Sequence, residues 1–60
     1  MKLEGYMLVK MLKTLNIYLF STIKEDLLDY VGGGRIIAEY YTDGSKKMIK
    51  MPDGKLLRIA

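Results

Sequence analysis

Sixty residues make one domain at most, and a chain of this length buries only roughly 60% of its unfolded surface. It has no cysteine and no histidine, which excludes disulfide staples and the common zinc sites. Ten basic against seven acidic residues leave a net charge of +3, a mild excess that makes the local distribution of charge more informative than the total.

Residues 3 to 20 carry an apolar stripe at spacings of three and four: Met7, Leu8, Met11, Leu12, Leu15, Tyr18 and Leu19. This is the signature of an amphipathic helix, and Met, Leu and Lys are good helix formers. Against it, Leu15 to Phe20 contains β-favouring residues that could alternate as a strand. The longer periodic match favours helix. Its second side, with Tyr6, Val9, Ile17 and Phe20 among Lys10 and Lys13, is not cleanly polar and asks for a second packing partner. The same two lysines interrupt the early apolar run, so a signal peptide is not expected, and no run approaches a membrane span.

A second helix is predicted from Thr22, with Glu25 three positions on as a capping box and Ile23, Leu27, Tyr30 and Val31 on one face. Gly32 would end it. Gly32-Gly33-Gly34-Arg35 follows a helix rather than a strand, the reverse of a phosphate-cradling loop, and reads as a cap and flexible link.

From Arg35 onward two Asp-Gly turns, at Asp43-Gly44 and Asp53-Gly54, divide the chain into three strand-length runs, Arg35–Tyr41, Lys46–Met51 and Lys55–Ala60. A three-residue loop at Pro52-Asp53-Gly54 pairs Met51 with Lys55 and places Ile49, Met51, Leu57 and Ile59 on a core face. Lys46, Met48, Lys50, Leu56 and Arg58 then share the other. The first turn leaves two registers open. A two-residue loop at Asp43-Gly44 puts Ile36, Ala38 and Tyr40 on the core face, whereas a three-residue loop puts Ile37, Glu39 and Tyr41 there.

The expected fold is therefore α+β: two N-terminal helices packed on a three-stranded antiparallel β-meander, with residues 1–31 mainly helical, 32–34 a glycine link and 35–60 the meander. The alternative is a β-rich, barrel-like small domain with an N-terminal strand or hairpin over residues 6 to 20.

Catalysis is not expected, because without histidine or cysteine the usual general base and nucleophile pairs are missing. Glu25, Asp26 and Asp29 read as a solvated acidic face, and the spacing of a calcium loop is absent. No cofactor or metal is called for. Lys46, Lys47, Lys50, Lys55 and Arg58 cluster near Tyr40 and Tyr41. Tyr41, Lys46, Lys50 and Arg58 are candidate contacts for a partner or a nucleic acid. Lysines on short strands also discourage edge pairing, which is the commoner reason for finding them. A winged-helix reading is disfavoured, since the acids of the second helix would repel phosphates.

A 50% hydrophobic content in a chain without staples points to a homodimer or higher oligomer, with Val9, Ile17 and Phe20 as candidate interface residues. The leading functional expectation is a small cytoplasmic protein-interaction module, a regulator or inhibitor binding another protein through methionine- and tyrosine-rich surface. Nucleic-acid binding by a basic sheet face is the alternative.

Overall fold

A computed structural model describes all 60 residues. The chain forms one antiparallel sheet of five strands: β1 (Lys2–Met11), β2 (Leu15–Ser21), β3 (Ile36–Asp43), β4 (Lys46–Lys50) and β5 (Leu56–Arg58). Their spatial order is β2-β1-β3-β4-β5, so β2 and β5 are the edges. A single 3₁₀ helix, Lys24–Tyr30, connects β2 to β3.

The two predicted N-terminal helices are not there. Residues 2 to 21 form a β-hairpin, the strand arrangement that the sequence left as the alternative for this segment. The reason lies in where β1 sits. It pairs with β2 on one side and β3 on the other, and it is covered on both faces: Leu8 and Val9, adjacent in sequence and opposite in direction, are 2% and 0% exposed. A strand buried on both faces is apolar at consecutive positions. The run Tyr6-Met7-Leu8-Val9 meets that need, and its density of apolar residues matches the helical period only incidentally.

The second helix shrinks to two turns of 3₁₀. Ile23 stands at its N-cap with no side-chain cap, so the Thr22–Glu25 capping box does not form. Ser21 takes the role instead: its Oγ accepts from the Ile23 N–H at 3.0 Å and donates to Asp26 Oδ2 at 3.2 Å. Of the predicted apolar face only Leu27 is buried, at 0% exposure, while Ile23, Tyr30 and Val31 remain about half exposed. The glycine run is not a loose link. Gly32 and Arg35 exchange both backbone hydrogen bonds around Gly33 and Gly34, whose φ angles of 61° and 86° give the two left-handed positions of a type I′ turn.

The meander over β3, β4 and β5 matches the sequence reading. Met51 N–H donates to the Lys55 carbonyl at 2.8 Å across Pro52-Asp53-Gly54, and Ile49 faces Leu57. In the first turn Asp43 pairs with Lys46, leaving Gly44 and Ser45 as a two-residue loop one position later than expected. Because the pairing moves by two residues, the faces are kept: Ile36, Ala38 and Tyr40 point to the core.

That core is Val9, Ala38 and Ile49, each at 0% exposure, ringed by Met7, Leu15, Ile36, Tyr40, Met51, Leu57 and Ile59. The 3₁₀ helix does not cover it. The helix contacts β1, β2 and β3, and shares a groove with Tyr6, Ile37 and Glu39 on the opposite face, where Leu8 is buried. Three fully shielded residues on a face without a second layer require the sheet to curl around them, as a strongly twisted small sheet does. Only five hydrophobic residues are buried in all, a small core for a chain that is half hydrophobic.

Candidate functional site

β2, Leu-Asn-Ile-Tyr-Leu-Phe-Ser, is an edge strand without a charge. The uncharged run extends from Thr14 to Ile23, between Lys13 and Lys24. An edge presents a row of unpaired backbone N–H and C=O groups, and chains that stay apart usually protect it with charge, proline or brevity. Here the side chains are apolar and outward: Ile17 is 47% exposed, Tyr18 51%, Leu19 41% and Phe20 48%. Ile23, at the start of the 3₁₀ helix, extends the patch at 54%. One feature interrupts the edge. Leu8 faces Leu19 but Val9 faces Ile17, so Tyr18 is the extra residue of a β-bulge. Regular segments remain on either side of it, Leu15–Ile17 and Leu19–Ser21.

Phe20 is anchored at the base of this patch. Its ring meets Tyr40 edge-on, with centroids 5.8 Å apart, and it lies over Gly5. A Cβ at position 5 would stand 2.7 Å from the Phe20 ring and 2.8 Å from the Ser21 carbonyl oxygen. Glycine is therefore needed there for the close approach of β2 to β1.

The three candidate interface residues separate. Ile17 and Phe20 are on the exposed edge, but Val9 is wholly buried and offers no surface. Tyr18 and Leu19, assigned by their spacing to a helix stripe, are exposed members of the patch. The usable signal was the ten-residue gap in the charges.

The second candidate surface forms on the sheet face that carries the 3₁₀ helix. Register puts Tyr41, Met48 and Arg58 in one row, with Lys46 and Lys50 on either side along β4. The predicted strip is thus assembled, but acids are interleaved with it: Asp43 faces Lys46, and Glu39 faces Lys50. The Arg58 Nε donates to the Ala60 carbonyl at 3.2 Å, turning the guanidinium back on its own chain. Tyr41 donates its hydroxyl proton to Glu39 Oε1 at 3.0 Å. That hydrogen bond, with some burial and the nearby carboxylate charge, raises the Tyr41 pKa above its usual 10.0.

Between the strip and the helix runs an open groove of about 520 Å³, lined by Tyr6, Lys24, Leu28, Glu39, Lys50 and Pro52 among others. The helix acids do not converge. Asp26 is engaged by Ser21, and no three carboxylates come together as metal ligands would. No helix is long and apolar enough to cross a membrane. No protein-family model, curated protein or solved structure matches this chain.

Proposed function

We propose that this protein is a small non-catalytic interaction module that acts by occupying another protein surface through the β2 edge. The observation that carries this reading is the uncharged, half-exposed segment Ile17–Phe20 on an edge strand. Strand addition to such an edge supplies affinity from main-chain hydrogen bonds and selectivity from the alternating side chains. The aromatic pair Tyr18 and Phe20 suits it, because rigid aromatic side chains lose little entropy on binding and are enriched at interfaces. A regulator or inhibitor that works by blocking a surface needs nothing more.

The basic face supports a second reading, nucleic-acid binding through Lys46, Lys50 and Arg58. It is the weaker one, since Asp43 and Glu39 stand directly opposite two of its three cations.

A pull-down from source lysate, with and without nuclease, separates the two. The module reading expects proteins that stay bound after nuclease treatment and are lost with Tyr18→Lys/Leu19→Lys. Partners that vanish with nuclease, and with Lys46→Glu/Lys50→Glu/Arg58→Glu instead, transfer the function to the basic face.

A further inference from the structure

We infer that the surface received by the β2 edge is the β2 edge of a second copy of this chain, paired antiparallel so that two five-stranded sheets join into one. The inference rests on the module reading and names its partner. Three observations select a second copy.

The first is likeness. A partner strand for Thr14–Ile23 must be as uncharged and as apolar on both faces as the edge it meets, and β2 itself has that composition. Antiparallel pairing about a twofold axis is self-complementary, and it keeps the concave face of one sheet continuous with that of the other. With the axis near Leu19, that residue meets its own copy on the helix side, and Ile17 and Phe20 of each chain flank the joint on the core side.

The second is charge. Lys13 precedes β2, while Lys24, Glu25 and Asp26 follow it in the first turn of the 3₁₀ helix and leave that end with a net charge of −1. A twofold axis near the middle of β2 carries Lys13 of one copy toward Glu25 and Asp26 of the other, at both ends of the joint. Parallel pairing would instead place Lys13 beside its own copy and acids beside acids.

The third is area. Ile17, Tyr18, Leu19, Phe20 and Ile23 are each 41–54% exposed. With roughly 150–250 Å² for a large side chain, they offer about 500 Å² per copy before the strand backbone is included. Complete coverage of these side chains in a pair would bury about 1,000 Å², the size at which specific interfaces begin. The same contact would add to a core of only five buried hydrophobic residues.

The absence of cysteine makes the test direct. Single-cysteine variants at Asn16, Tyr18, Leu19, Phe20 and, on the opposite edge, Leu56 are oxidised and examined for covalent dimers, beside sedimentation equilibrium of the unmodified chain. We expect a dimer in the unmodified chain and cross-linking that peaks at one β2 position, nearest the axis, with none at Leu56; cysteines must come within about 7 Å between Cα atoms to bridge. Leu19→Lys should raise the dimer dissociation constant about tenfold or more by burying a charge, while Leu56→Lys leaves it unchanged. Circular dichroism checks that each variant keeps its sheet, and the cysteine scan stands even if the lysine variant does not fold. A chain that sediments as a monomer throughout the micromolar range, or cross-links equally at Leu56, overturns the inference. If that monomer still retains a protein in the nuclease-treated pull-down, the module reading survives and only the self-pairing is lost. If it retains none, or binds uncharged lipid vesicles through Tyr18 instead, both are lost.

Discussion

The two edges of this sheet are built on opposite plans. β5 is three residues long, preceded by Lys55, ended by Arg58, and joined to β4 through Pro52. β2 is seven residues long and has neither charge nor proline. Five of the chain's ten basic residues fall on β4, β5 and the turn between them, and none on β2. Charge and brevity suppress strand addition at β5, while the only guard on β2 is the bulge at Tyr18. A chain able to make one edge so unattractive, and leaving the other bare, has an asymmetric sheet with one side available for pairing.

The strongest way to break this asymmetry is from behind. Leu27 is the single fully buried residue of the 3₁₀ helix, and the helix contacts both β1 and β2. Leu27→Ala should cost about 2–5 kcal/mol by leaving a cavity under the hairpin. Urea denaturation would show it as a lower midpoint. A loss below about 1 kcal/mol would mean that the helix is not what supports the β1–β2 side.

Two glycines sharpen the contrast at smaller magnitude. Gly5→Ala drives a Cβ against the Phe20 ring and the Ser21 carbonyl, and should destabilise the β2 side by about 1–3 kcal/mol through overpacking. A Phe20→Leu change in the same chain should recover part of the loss, because one of the two crowding groups is that ring. Gly44→Ala meets no atom within 4 Å, but its φ is 63°, at the first position of a two-residue turn whose second position, Ser45, is not left-handed. That is the II′ pattern, and an alanine there should cost about 1–2 kcal/mol from backbone strain alone. Thermal melts of the two variants, with and without Phe20→Leu, tell contact from conformation: only the Gly5 variant should respond.

The same contrast explains what could be read from the sequence. The β4–β5 half was legible because its determinants are local. Asp-Gly turns fix strand breaks, and alternation in Ile49, Met51, Leu57 and Ile59 declares a one-sided core. The β1–β2 half was not, because its determinants are tertiary. β1 is covered on two faces by elements distant in sequence, so its apolar residues do not alternate, and a dense apolar run satisfies a period of 3.6 as readily as 2. Gly5 was the missed local clue, a poor helix former within the segment read as helical. The interface candidates divided for the same reason: Ile17 and Phe20 are surface residues on a helix side or on a strand edge alike, whereas Val9 exchanges surface for core once the helix becomes a strand. Tyr41, Lys46, Lys50 and Arg58 came together as expected, since their placement needs only the meander's parity.

The smallest expected effect lies on the guarded side, where polar pairing replaces apolar exposure. Tyr41 donates to Glu39 Oε1 at 3.0 Å, and Glu39 also faces Lys50 on β4 and Tyr6 on β1. The neutral phenol makes this hydrogen bond, whereas the phenolate would confront a carboxylate, so the folded-state pKa is raised above 10.0. Since the folded value exceeds the unfolded one, the associated stabilisation is fully present below pH 10 and is lost as pH rises through the folded value. Glu39→Gln removes the charge but keeps an amide oxygen that can still accept the proton. It should therefore move the Tyr41 pKa part of the way back toward 10.0, with stability at neutral pH nearly unchanged. Ultraviolet difference titration reads this directly, and Tyr41→Phe identifies which of the five tyrosines is responsible by deleting its transition. If Glu39→Gln leaves the Tyr41 transition where it was, the carboxylate does not govern Tyr41, and the polar row across β3 and β4 is held by something other than this pair.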